Sequence, residues 1–159
     1  MTMDPDTFRA VLGRFATGVT VVTTTDADRQ DHGMTVSAFC SVSLAPPLVL
    51  VCVDRVASMH DILHPGSPFA VNILSAGQEA VSRRFSTGDP PNRFDGLGYT
   101  RGLTHVPLLD DVLAWIECRV AGRHAEGDHT IVVGHVEAAA ARHERPLLYY
   151  RGGYATLER

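Results

Sequence analysis

From Gly33 to Val53 the chain reads GMTVSAFCSVSLAPPLVLVCV, without one charged residue, although 20% of the protein is Asp, Glu, Lys or Arg. A segment of this kind is either buried or turned toward something uncharged. It cannot be a membrane helix, because Thr35, Ser37, Ser41, Ser43 and the Pro46-Pro47 pair interrupt it. With a period of two, Met34, Val36, Ala38, Cys40 and Val42 fall on one face, and Thr35, Ser37, Phe39, Ser41 and Ser43 on the other. The apolar face predicts a core. The hydroxyl face reads either as the solvent side of an antiparallel strand or as the wall of a pocket for a neutral, planar, polar ligand. Exposed strand faces usually carry charges as well as threonine, and their absence argues for the pocket.

The flanking sequence supplies the rest of a β-rich fold. Leu44-Ala45-Pro46-Pro47 must end the ladder, since proline has no donor, and LVLVCV then reads as a strand buried on both sides. Before the stretch, Asp4-Pro5 predicts a helix start, and Phe8, Val11, Leu12 and Phe15 recur at helical spacing up to Gly18. VTVVTTT (19–25) is a β-branched strand closed by the polar turn DADRQDHG. After it, SMHDILHPG predicts a short helix from Ser58, FAVNIL a strand, and Ser75 with Gln78 a capping box for a helix that buries Val81 and Phe85. Residues 86–103 hold so many glycines and prolines that a long loop is expected, a candidate lid or interface. Leu113–Val120 and TIVVGHVEA flank the turn AEGD as a second hairpin, and PLLYYRGGYATLE closes with two extended pieces around Gly152-Gly153. Many strands and few helices predict a mainly β protein, a Greek-key-like barrel with a few short helices. The 159 residues suit a single domain, 1–159.

Charge and composition exclude several functions. With net charge −4 there is no broad basic surface for nucleic acid. Every one of the 14 cationic residues is arginine, so Schiff-base, Walker and kinase-type lysines are ruled out. Cys40, Cys52 and Cys118 are widely spaced in apolar runs, which predicts reduced core thiols rather than a disulfide framework. MTMDPDTFRA has neither the basic nor the apolar region of a signal peptide, and a cytoplasmic protein without a membrane span is expected.

The candidate motifs differ in strength. His60 and His64 flank Asp61 like a zinc-protease pair, but Pro65-Gly66 ends any helix there, no third ligand follows, and no metal site is expected. Gly96–Gly102 approaches a dinucleotide fingerprint without the strand and helix it needs. There is no Gly-x-Ser-x-Gly elbow and no Cys-x-x-Cys pair. Arg83 and Arg84 read either as cations complementing a helix C-terminus or as phosphate ligands. Gly127-Asp128-His129 suits a hairpin turn, where the histidine is the informative member.

Taken in order, GMTVSAFCSVSLAPPLVLVCV, FAVNIL, QEAVSRRF, EGDHTIVVGHV and PLLYYRGGY resemble the flavin reductase family, which includes the reductase components of two-component flavin-dependent monooxygenases. The resemblance runs from FATGVTVVT to Tyr154. It implies a split β-barrel, a homodimer, and non-covalent binding of FMN or FAD, with NADH or NADPH as co-substrate and a partner monooxygenase as recipient of reduced flavin. It places Thr35, Val36 and Ser37 along the isoalloxazine ring. Ser41, Cys52, Val53, Asp54 and Ser58 are to line the ring, ribityl chain or phosphate, Arg84 and Phe85 to approach the phosphate, and Tyr154 to cover the ring. Asp128 and His129 match a motif linked to nicotinamide binding, His129 being the one candidate for a catalytic role. Hydride transfer between these cofactors needs no acid, base or nucleophile from the protein, which fits a pocket without a dyad. A non-catalytic flavin carrier on the same barrel is the alternative, while a pyridoxamine-phosphate-oxidase-like enzyme should carry more cationic phosphate ligands. The chain ends at Arg159 without a long tail, which leaves FMN against FAD open.

Overall fold

The structure is a computed structural model and describes residues 1–158. The chain runs α1 (Pro5–Leu12), β1 (Thr17–Gly18), β2 (Thr20–Thr25), β3 (Asp31–Val36), β4 (Phe39–Ser43), β5 (Leu48–Asp54), β6 (Pro68–Ile73), α2 (Glu79–Thr87), a 3-10 turn (Pro90–Asn92), β7 (Tyr99–Arg101), β8 (Pro107–Leu109), β9 (Ala114–Glu126), β10 (His129–Ala141), β11 (Leu147–Tyr150) and β12 (Gly153–Thr156). Seven strands form one antiparallel sheet in the order β3-β2-β6-β9-β10-β5-β4. The outermost strands, β3 and β4, are separated only by Ser37 and Ala38. Two residues reach about 7 Å, so the sheet must curl until its two edges meet. The result is the expected mainly β split barrel.

That closure changes the reading of the uncharged stretch. A single alternating strand would keep Met34, Val36, Ala38, Cys40 and Val42 on one inner face, but Ala38, Cys40 and Val42 are exposed. The Phe39 amide donates to the Ser37 carbonyl (2.9 Å), a tight turn about Ala38, and the Cys52 amide donates to Ala38 (3.0 Å). The two-residue break reverses which parity points inward. Val36 is buried before it, and Phe39 packs on the same core after it.

The barrel interior holds Val22, Val51, Val53, Phe69, Val71, Cys118 and Val132. A second core, Val19, Val21, Leu74, Phe85, Leu109 and Leu147, lies on the other face of β2, under α2. β5 alternates buried Val49, Val51 and Val53 with half-buried Leu48, Leu50 and Cys52 rather than being buried on both sides, because only its inner face meets the core. The cysteines divide likewise: all three are free, Cys118 is in the core, Cys52 half-buried and Cys40 exposed. Burial pushes the Cys118 thiol up to about 12 and raises that of Cys52, so neither favours a thiolate.

Other expectations change for local reasons. SMHDILHPG forms successive turns, not a helix: its few residues cannot repay nucleation, and the Arg123 guanidinium takes the carbonyls of His60 and Leu63. Ser75 and Gln78 make half a capping box, in which Gln78 Oε1 accepts from the Ser75 amide (3.0 Å) while the Ser75 hydroxyl donates to Asp111 (3.0 Å). The helix itself begins at Glu79. The 86–103 segment is only partly loop: α2 extends into it, and β7 pairs with β8. Its far end is held by Glu117, a buried carboxylate that accepts from the amides of Leu103 (3.1 Å) and Thr104 (3.1 Å) and the Thr104 hydroxyl (2.9 Å). Helix α1 is capped by Asp4 as expected but ends at Leu12 with Gly13 as its C-cap, short of Gly18, and its apolar side is uncovered: Phe8 is 55% and Val11 62% exposed, as is Phe15 beyond the helix (77%). Among the described residues no helix is long and apolar enough to cross a membrane.

Candidate functional site

Thr35, Ser37 and Tyr154 come together across three elements. With Val19, Ser82, Ser86 and Tyr149 they line an open cleft of about 200 Å³ between the end of β3, the flank of α2 that carries buried Ser82 and exposed Ser86, and the β11–β12 hairpin. The helix supplies Ser82 and Ser86 four residues apart on one face. The hairpin supplies Tyr149 and Tyr154, a register pair whose rings meet edge to face at 5.4 Å. A hydrogen-bond chain fixes the walls: the Thr35 hydroxyl donates to the Ser82 carbonyl (2.6 Å), and the Ser82 and Tyr154 hydroxyls hydrogen-bond each other (2.7 Å). Arg83 lies over the Tyr154 ring at 4.9 Å and is held there by Glu79 (2.8 Å), whose hydrogen bond keeps the guanidinium pKa above its ordinary value.

The lining carries no charged side chain. β3 is the outermost strand, so alternate peptide groups along it face the cleft side without a β-partner. Thr17 adds one more unspent group. Its buried hydroxyl, in register with Tyr149, is the one such side-chain atom lacking a hydrogen-bond partner among the described residues. A cleft of hydroxyls, free peptide edge and two phenols suits a planar, neutral, hydrogen-bonding ring system.

A second group assembles where β5 and β10 end. Asp54 and His129 are register partners, and the Arg55 amide donates to the Asp128 carbonyl (3.0 Å). Asp128 accepts from His129 Nδ1 (2.8 Å), a bond that keeps its carboxyl below the usual range and therefore ionised. The proton is then on Nδ1, and the half-exposed imidazole presents its other edge outward. Since the Ala38 carbonyl is bound by Cys52, the Ser37–Ala38 break lies two residues along β5 from Asp54.

The remaining candidates are placed differently. Val36 and Val53 point into the barrel core, so any ligand contact from them is through the backbone. Phe85 does not reach toward a phosphate: it is 1% exposed and packs edge to face on Phe94 at 5.1 Å, because α2 buries its apolar side on β2 and β3. Arg84 is turned into the following loop, donating to the carbonyls of Asn92 (3.4 Å) and Asp95. Ser41 on β4 and Ser58 in the 55–64 turns are exposed, and Cys52 is half-buried on the outer side of β5. None of these three lines the cleft. Ser82, Ser86 and Tyr149 were not anticipated. The signal for the serines is their i, i+4 spacing, with Ser82 on the same buried side of the helix as Phe85, and for Tyr149 its place in the paired Tyr-Tyr before the glycine turn. No group of three or more His, Cys, Asp or Glu that could hold a metal occurs among the described residues.

Residues 12–158 match the family model described as flavin reductase like domain. The chain is 45% identical over 157 residues to a flavin reductase (NADH) of Kitasatospora aureofaciens, covering 96% of this chain and 82% of that one. It is 40% identical over 159 residues to the flavin-dependent monooxygenase reductase subunit HsaB of Mycobacterium tuberculosis, covering 98% and 84%. Among solved structures it is similar to the NADH:FAD oxidoreductase SgcE6 of Streptomyces globisporus C-1027, in complex with NAD and FAD fragments, with a TM-score of 0.89 and 37% identity over 98% of this chain and 95% of that one.

Proposed function

Because the chain belongs to the flavin reductase family and is an oxidoreductase using flavin and NADH, we propose that it reduces FMN or FAD in the Thr35–Tyr154 cleft and passes the reduced flavin to a partner monooxygenase. The observation that carries the site assignment is the uncharged, hydroxyl-lined cleft beside a free strand edge. Bound flavin would supply the electron-accepting chemistry, as acceptor of the hydride that NADH gives up.

The protein's part is to bind and to orient. Thr35, Ser37, Ser82 and Ser86 hydrogen-bond the polar edge of the ring, and Tyr149 and Tyr154 shield the ring from water. His129, its Nδ1 proton fixed on Asp128, positions the nicotinamide at the β5–β10 end of the same region. No side chain moves a proton in this scheme. Two copies pair through the apolar surface that one chain leaves open, including Phe8 and Leu12 on α1, Phe15 just after it, and Val42 and Leu44 by β4. The setting is cytoplasmic, in keeping with three free cysteines.

The test combines turnover with site specificity. Purified protein is mixed with free FMN or FAD and NADH or NADPH, and nicotinamide absorbance is followed; catalytic consumption is expected. Ser37→Asp, which puts a charge at the cleft, should raise the flavin KM about tenfold or more, by the penalty of leaving a carboxylate against a neutral ring. A tightly held flavin without turnover would make the protein a carrier, and an unchanged KM in the variant would move the flavin elsewhere.

A further inference from the structure

Three of the protein's 14 arginines converge on a groove outside the cleft. Arg9, Ala10, Gly13 and Arg14, from α1 and its exit, and Arg151 and Gly152, from the β11–β12 turn, line an open space of about 350 Å³. Helical spacing puts Arg9, Ala10 and Gly13 on the side of α1 turned away from Phe8, Val11 and Leu12, so a partner on the apolar side leaves the groove uncovered. One backbone bond locks the two segments together, the Arg151 amide donating to the Gly13 carbonyl (2.9 Å). That bond makes neighbours of Arg14 and Arg151, which come from opposite ends of the chain.

The turn carries its arginine against local preference. Arg151 and Gly152 have φ of 53° and 75°, the two positive values that a type I′ turn between paired Tyr150 and Gly153 requires. Glycine, asparagine and aspartate suit the first of these positions, and arginine does not. Nor are the guanidinium groups needed to cap α1. Its last carbonyls already have amide partners: Arg9 from Gly13, Val11 from Arg14 (3.0 Å) and Leu12 from Phe15 (3.1 Å). Asp6 pairs with Arg9 (3.2 Å), while no carboxylate lies within salt-bridge distance of Arg14 or Arg151 among the described residues. Two planar forks, held side by side, are left for an oxyanion.

The reaction's own substrates bring such a group. FMN, FAD and NADH all carry phosphate, yet the cleft lining has no charged side chain, Arg83 is paired with Glu79, and Arg84 is turned to loop carbonyls. Thr17, three residues past Arg14, is in register with Tyr149, two residues before Arg151. At roughly 3.3 Å per residue, the groove therefore opens on the order of 10 Å from the tyrosine row.

We propose that the groove between α1 and the β11–β12 turn is a phosphate-binding site, in which Arg14 and Arg151 hold a phosphate or diphosphate group of one of the nucleotide substrates. It rests on the use of flavin and NADH, and not on where the flavin ring lies.

Inorganic pyrophosphate is the probe, titrated calorimetrically into the wild type and into the double variant Arg14→Gln with Arg151→Asn. Asn-Gly is the favoured type I′ pair, so the hairpin is kept and Tm should not fall. Pyrophosphate affinity should drop about tenfold or more in this variant. A charge-matched control, Arg29→Gln with Arg145→Gln, changes two exposed arginines outside the groove and should stay within about twofold of the wild type. In steady-state kinetics pyrophosphate should compete with FMN if the flavin supplies the phosphate, or with NADH if the dinucleotide does, and the competition should disappear in the groove variant. Unchanged pyrophosphate binding in the groove variant, an equal loss in the control, or competition against neither substrate overturns the assignment. If near-UV circular dichroism shows that Arg14→Gln disturbs α1, Arg151→Asn alone decides: an affinity loss of about threefold is expected, and no loss overturns the proposal.

Discussion

At the level of single residues, the informative signal was what the 33–53 stretch lacked. Absence of charge singles out the face of Thr35, Ser37, Phe39, Ser41 and Ser43, of which Thr35 and Ser37 line the cleft. It could not identify Ser82, Ser86 or Tyr149, whose relation to Thr35 exists only once α2 and β11 have folded against β3. Nor could a motif distinguish Arg84 and Phe85 as ligands from Arg84 bonded to loop carbonyls and Phe85 in a core, since helix periodicity places Phe85 inward on apolar grounds alone. His129 is testable as a nicotinamide-positioning group. His129→Ala should raise the KM for NADH about tenfold, the loss of about 1.4 kcal/mol of binding, and leave flavin affinity within about twofold. Steady-state kinetics at saturating flavin, with a separate flavin titration, checks it; unchanged NADH kinetics would take His129 out of the site.

Among the elements, β-strands and hairpins were legible because alternation and turn residues report on a local period. The 58–66 segment was misread as a helix, because the competing partner, Arg123 on β9, lies far away in sequence. The loop clamp at Glu117 is similarly non-local, and it explains Gly102: a Cβ there would collide with the Glu117 carboxylate. Gly102→Ala should destabilise the protein by about 2 kcal/mol through displacement of that buried acceptor, lowering Tm by about 4–8 °C in calorimetry. The β2–β3 hairpin holds a half-buried acid-sensitive carboxylate, Asp31. Burial alone would raise the Asp31 pKa, but hydrogen bonds from Arg101 (2.7 Å) and Thr25 (2.8 Å) prevail and hold it below the ordinary value. Its contribution is therefore complete above the unfolded pKa of about 3.9 and disappears as pH falls through the lower folded value. Asp31→Asn should be less stable than the wild type at neutral pH, and the difference between them should shrink toward about pH 2 in urea titrations.

For the molecule as a whole, composition and strand count were enough for a β-barrel, but closure was not visible, since it depends on β3 and β4 being opposite edges of one sheet. The helix pattern of α1 was legible too, although periodicity cannot say what covers its apolar side. Among the described residues none does: Phe8, Val11, Leu12 and Phe15 are all exposed. If a second copy covers that surface, Phe8→Asp with Leu12→Asp should move the protein from dimer to monomer in light scattering coupled to size exclusion, by burying unpaired carboxylates at the contact. A wild type that is monomeric at all concentrations would contradict the pairing.

The two residues that carry the chain from one sheet margin to the other make the barrel's seam and the wall of the cleft the same piece of backbone. If that cleft is where flavin is held, a proteolytic nick between Ser37 and Ala38 would unzip the tube at the point where its guest is gripped, so cargo retention and mechanical integrity should be lost in one event, and an occupied cleft should protect that bond from cleavage.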